Sequence, residues 1–232
     1  MFKSLFKKPP ILNYHTILDF KSPETLKNII TRSDKEIGGY SSTKFIHDPI
    51  EKCGKFIGEL NLDLPKDNPD VTRSGYAMFR TKDQPQSLFN TSFWDWSRFS
   101  SLVMRVKGDR RKYLINLQAN TPMITDLYQH RLFLNDPGNW ETVVIPLDDF
   151  VVTNWGVIQD QSELNKSEIK TFGVGLLDKT YGPFELAIDW VKVMNDEELK
   201  NYTEIKKSEK EEQTEHSAFP ASNYPEPKAT VF

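Results

Sequence analysis

The side chains able to do chemistry in this 232-residue chain are few and scattered. Four histidines, His15, His47, His130 and His216, show no His-x-x-x-His or His-Glu-x-x-His spacing. A metal site would have to be assembled from distant strands, so they read as structural or surface residues. Asp148-Asp149 looks like a carboxylate pair for acid–base work, but adjacent residues of a strand point to opposite faces, which favours turn and cap chemistry. Gly38-Gly39 lacks the spacing that cradles a phosphate and reads as a tight bend. Serine, histidine and aspartate all occur, yet nothing resembles a Gly-x-Ser-x-Gly elbow. The single cysteine, Cys53, excludes an intramolecular disulfide and every multi-cysteine metal site, and reads as a buried, inert thiol. No catalytic residue, metal site or cofactor is expected, and an enzyme is the weakest of the functional classes.

The aromatic residues carry more information. Phe93-Trp94-Asp95-Trp96 and Asn154-Trp155-Gly156 place three tryptophans in loops or at strand edges. There a tryptophan serves as a core plug, a partner anchor or a sugar-stacking platform. Trp94 and Trp96 lead into an apolar strand, so at least one of them is expected in the core. Trp155 is the better candidate for an exposed contact.

The elements that must position these residues are strands. Leu102, Met104 and Val106 alternate with Val103, Arg105 and Lys107; Tyr113, Ile115 and Leu117 alternate with Leu114, Asn116 and Gln118; Phe184, Leu186, Ile188 and Trp190 alternate with Glu185, Ala187 and Asp189. Period two predicts sheets with one buried face. Further strands are expected over 15–20, 42–47, 54–62, 75–81, 128–134, 140–147 and 171–177. About ten short strands separated by Gly, Pro, Asn and Asp clusters predict two packed antiparallel sheets, an all-β sandwich over 14–195. Ser22-Pro23 predicts a capped helical turn. The stretch 195–215 predicts a short, charge-dense helix, with disorder beyond Ser217; together 196–232 form a charged helix and tail.

Charge and composition set further limits. The net charge is −3, and the stretch from Asp196 to Glu215 alone holds eight acidic against four basic residues. No clustered basic field exists to draw in nucleic acid. No apolar run approaches the length of a membrane span. The N-terminal segment 1–13 begins MFKSLFKKPP, which is basic, amphipathic and free of acid. Those are properties of an organelle-import segment, and a solvated terminus explains them equally well.

Several collinear segments together resemble the complex I intermediate-associated protein 30 family. They are Ser33-Asp34-Lys35-Glu36-Ile37-Gly38-Gly39-Tyr40-Ser41, Thr72-Arg73-Ser74-Gly75-Tyr76, Asp95-Trp96-Ser97-Arg98-Phe99 and Leu102 to Asp109, then Trp140 to Leu147, Phe172 to Lys179, and Gly182-Pro183-Phe184 to Asp189. The resemblance implies a galactose-binding-like jelly roll. It also implies a non-enzymatic chaperone or assembly factor, mitochondrial, in the matrix and peripheral to the inner membrane. Such a protein binds complex I membrane-arm subunits and other assembly factors and carries no cofactor. Relatives assembling other complexes, and a cytoplasmic setting, remain alternatives. The segment from Trp140 to Trp190 also resembles carbohydrate-binding modules, which makes sugar binding the main rival; that rival requires exposed, roughly coplanar rings on one face. For a protein interface, the candidate residues are Arg73, Tyr76, Trp94, Arg98, Trp155 and Tyr181. Arg73 is expected to pair with Asp95 or Asp178.

Overall fold

The computed structural model describes residues 13–83, 86–87, 90–91 and 93–217. Residues 1–12 of the basic N-terminal segment and the tail beyond Ser217 lie outside them. In chain order the strands are β1 (Tyr14–Asp19), β2 (Ile29–Ser33), β3 (Ser42–Asp48), β4 (Cys53–Leu60), β5 (Ala77–Thr81), β6 (Gln86–Ser87), β7 (Asn90–Thr91) and β8 (Ser101–Gly108). After these come β9 (Tyr113–Ala119), β10 (Asp126–Arg131), β11 (Glu141–Pro146), β12 (Val151–Asn154), β13 (Val157–Ile158), β14 (Ile169–Leu176) and β15 (Gly182–Met194), then helix α1 (Asp196–Ser217).

Two antiparallel sheets form the expected sandwich. The first runs β11-β8-β15-β4-β3, with β1 continuing the lane of β4 beside the far end of β15. The second runs β13-β12-β10-β9-β14-β5-β2. The alternation of β8 and β9 sends Leu102, Met104, Val106, Tyr113, Ile115 and Leu117 into the space between the sheets. An aromatic chain fills its centre. Phe45 meets Phe79 edge-on at 4.6 Å between ring centroids, Phe56 meets Phe79 at 5.2 Å, and Phe184 lies 4.9 Å from Phe56. Rings this large bury more apolar area per residue than any aliphatic side chain, and tilted contacts suit their quadrupoles.

One strand departs from strict alternation. A β-bulge between Ile188 and Trp190 inserts an extra residue, which reverses the facing of the rest of the strand. Val191 and Val193 therefore enter the core, while Trp190 turns to the outer face. There it joins Val103 and Met194 as a small apolar platform, on which α1 sets Leu199 and Tyr202. The side chain of Asn195 caps the helix by accepting from the Glu198 amide at 2.9 Å. Among the described residues no helix is long and apolar enough to cross a membrane.

Short local signals take the expected forms. Ser22 caps the 3-10 turn Pro23–Asn28. Gly38 ends the next turn with φ of 91°. Asp148-Asp149 lie in the 3-10 turn Leu147–Asp149, and Asp148 pairs with Lys166 at 2.7 Å.

Candidate functional site

Two polar clusters look at first like chemistry and prove to be fasteners. The Asp34 carboxylate is fully buried and accepts from the Ser41 amide (2.8 Å), the Ser41 hydroxyl (2.7 Å), the Ser74 hydroxyl (2.9 Å) and the Gly75 amide (2.7 Å). Gly39 packs so closely that a Cβ there would lie 2.4 Å from Asp34 Cγ. Two of the segments that carry the family resemblance thus meet at one carboxylate, which ties the start of β3 to the approach to β5.

The second cluster centres on Arg111. Its Nε and Nη2 bind the two Asp178 oxygens at 2.8 and 2.9 Å, and its remaining donors reach the carbonyls of Thr180, Gly182 and Pro183. Burial alone would raise the Asp178 carboxyl, but hydrogen bonds from Arg111 and from the Lys112 and Thr180 amides outweigh it and hold the group below the usual carboxylate range. The expected Arg73–Asp178 pair is therefore incorrect: Asp178 is taken by Arg111. The Asp95 carboxylate is engaged by Ser97, first through its side chain and then through its amide, and this lowers its pKa. Arg73 is exposed and pairs with neither acid.

The six sequence-predicted contact residues do not form one patch. Arg73, Tyr76 and Tyr181 stand at the end of the sandwich where β5 begins and β14 ends, since Ala77 faces Leu176. The Tyr181 hydroxyl donates to Asp63 at 2.7 Å. Burial, with Glu36 and Asp34 nearby, pushes the Tyr76 phenol up. Trp94, Arg98 and Trp155 belong to the opposite end, where Trp94 bridges to Ile169 at the start of β14. Trp96 is fully buried, and Trp94 stacks on it at 5.8 Å with 13° between ring planes. This ring pair is a core plug, as expected for at least one member. Arg98 is exposed beside it.

Trp155 is different. It forms with Gly156 the two-residue tip of the β12–β13 hairpin, and both have positive φ, 49° and 73°. That pattern matches the tight hairpin turn that suits Asn-Gly, whose residues tolerate left-handed backbone. A tryptophan there gains no packing: it is 81% exposed. Register brings a second apolar loop beside it, because Asp126 faces Asn154 across β10 and β12. Met123 (56% exposed), Ile124 (74%), Val157 (54%) and Ile158 (71%) are exposed on that loop and on β13, and with Trp155 they make the rim at this end of the sheet apolar. Sequence reasoning missed these four; the available signal was two apolar pairs, Met123-Ile124 and Val157-Ile158, inside otherwise turn-forming stretches.

The rim is held rigidly. Asn154 Nδ2 donates to Thr125 Oγ1 and Asp126 Oδ1, both at 2.8 Å. Gln118 Nε2 donates to the Ile124 carbonyl at 3.0 Å, and the Thr121 hydroxyl to the Met123 carbonyl at 2.8 Å. Gln161 clasps the backbone of Val152 from both its amide oxygen and nitrogen. Residues 119–130 and 147–165 contain Asp126, Asp148, Asp149, Asp160 and Glu163 but no lysine or arginine.

Next to the rim lies the outer face of the second sheet. One row across it reads Ile30, Arg80, Gly173, Asn116, Gln129, Val151, and the next Arg32, Met78, Gly175, Leu114, Arg131. Gln129 Nε2 donates to Asn116 Oδ1 at 2.7 Å and Thr153 Oγ1 to Gln129 Oε1 at 2.8 Å, so the middle of this face is an amide ladder. These rows carry no aromatic ring. Among the described residues no group of three His, Cys, Asp or Glu side chains is placed to hold a metal ion.

Known proteins share both the sequence and the fold. A model of the family described as Complex I intermediate-associated protein 30 matches residues 18–188. Curated relatives named "Complex I intermediate-associated protein 30, mitochondrial" include one from Neurospora crassa, 34% identical over 78% of this chain and 73% of the relative, and one from Drosophila melanogaster, 32% identical over 82% and 67%. A third, from Mus musculus, is 32% identical over 78% of this chain and 56% of its own length. Among solved structures, the family 11 carbohydrate-binding module of a Clostridium thermocellum cellulase aligns with a TM-score of 0.55 at 14% identity, covering 80% of this chain and 96% of the module. An agarase aligns at 0.51 and 10% identity, over 79% of this chain and 25% of the agarase. At such identities the likeness establishes the β-sandwich fold alone.

Proposed function

This chain belongs to the Complex I intermediate-associated protein 30 family, and on that premise we propose that it serves assembly of mitochondrial respiratory complex I by binding intermediates rather than by catalysis. The observation that carries this reading is the extent of the match, which runs from Leu18 in β1 to Ile188 in β15 and so takes in both sheets and the apolar rim. A non-enzymatic role accords with the two best-built polar clusters, whose groups are engaged in fastening loops. Binding accords with the rim: a rigid, exposed aromatic beside four aliphatic side chains is the composition of an interface centre.

The setting is the mitochondrial matrix face of the inner membrane, and the partners are membrane-arm subunits with other assembly factors. The names of the relatives support the mitochondrial part of this assignment. The test is deletion of the gene, with native gel electrophoresis of mitochondrial membranes. The expected result is loss of mature complex I, build-up of smaller subassemblies, and recovery on return of the intact chain. Unchanged complex I in the deletion overturns the proposal.

A further inference from the structure

We infer that the apolar rim formed by Met123, Ile124, Trp155, Val157 and Ile158 is the docking point for a partner polypeptide presenting an apolar stretch flanked by lysine or arginine. This deepens the assembly reading and rests on it. Three observations lead here. The first is the conflict at Trp155, where a bulky side chain occupies left-handed backbone while 81% exposed. Neither turn chemistry nor packing accounts for it, and such local inconsistency is expected where function dictates the residue.

The second is pre-organisation. The bonds from Asn154, Gln118, Thr121 and Gln161 fix the hairpin and the neighbouring loop before any partner arrives. An interface already ordered loses little conformational freedom on binding.

The third observation selects the occupant. Asp160 and Glu163 are exposed just beyond β13, Asp126 lies beneath the tip, and no lysine or arginine occurs in either rim segment. An anionic lipid surface favours basic residues around an apolar anchor, so this rim is matched to the opposite arrangement. A polypeptide whose apolar stretch is flanked by cations satisfies both the apolar rim and the carboxylates.

The experiment uses the purified full chain and three probes: a synthetic peptide of Leu, Val and Ala flanked by lysine pairs, the same peptide flanked by glutamate pairs, and phosphatidylcholine–phosphatidylglycerol vesicles. Binding is followed by peptide anisotropy and by tryptophan emission. The lysine-flanked peptide is expected to bind, to weaken as salt is raised, and to shift Trp155 emission to the blue. The glutamate-flanked peptide is expected to bind roughly tenfold or more weakly, as are the Trp155→Asn and Ile124→Asn variants with the lysine-flanked peptide, their melting temperatures being unreduced. No binding of the lysine-flanked peptide, equal binding of both peptides, full binding by Trp155→Asn, tighter binding to vesicles, or self-association through the rim each overturns the inference. In deletion cells the two proposals separate. If complex I is intact without the chain, the assembly reading fails; if complex I is lost and Trp155→Asn restores it fully, only the rim assignment fails.

Discussion

Replacing Trp155 by asparagine should make the protein more stable. Left-handed backbone is disfavoured by roughly 1–2 kcal/mol for an ordinary L-residue and is visited readily by asparagine. Trp155 has φ of 49° and is 81% exposed, so it offsets little of that strain by packing. The neighbouring Gly156, at φ of 73°, keeps the turn geometry available. A net gain of about 1 kcal/mol is expected, which for a domain of this size raises Tm by about 2–4 °C. Calorimetry of the two purified proteins under identical conditions measures it. A fall in Tm would refute the reasoning, because it would mean that the indole packs against Met123 or Ile124 strongly enough to outweigh the backbone strain.

Other consequences concern the fasteners. Asp34→Ala leaves the buried Ser41 and Gly75 amides without their acceptor and should destabilise the fold by about 3 kcal/mol or more, read by chemical denaturation. Arg111→Ala strands the nearly buried Asp178 carboxylate, for an expected loss of about 3–5 kcal/mol, and should loosen the 178–183 loop to proteolysis. Asp178 has a folded-state pKa below its unfolded value, so the stability it contributes is present above the unfolded pKa and is lost as pH falls through the folded one. Acid denaturation followed below about pH 4 should therefore be shallower in Asp178→Asn, whatever its stability at neutral pH. Cys53 is buried, and burial followed by the nearby Glu51 charge pushes its thiol up to about 11. It should react with a disulfide reagent at pH 8 only after unfolding; rapid reaction of the native protein would contradict its placement.

Local physics decides which elements the sequence reveals. Strands β8 and β9 are legible because each alternates cleanly and is flanked by turn residues. Strand β2 is not: it is a five-residue edge strand whose inward positions include Thr31 and Ser33, so apolar alternation is missing. The β12–β13 hairpin escapes because each strand is short and its tip is Trp-Gly in place of Asn-Gly. Alternation puts Trp190 in the inward set of β15, and a bulge that leaves no mark in the residue types turns it outward onto α1. Arg111 sits among Arg110 and Lys112, and only the fold decides which of three adjacent cations turns inward to Asp178. At the candidate site Trp155 is legible as an exposed aromatic in a loop. Its four aliphatic neighbours are not, because their convergence depends on the pairing of β10 with β12.

The most direct test of a role in complex I assembly is affinity purification of the tagged chain from mitochondria, with quantitative mass spectrometry of what accompanies it. The expected result is enrichment of complex I membrane-arm subunits and other assembly factors in fractions smaller than the mature enzyme, and absence of the chain from the mature enzyme itself. Enrichment of the subunits of another complex, or recovery of the chain from the cytosol without any complex I subunit, would contradict it.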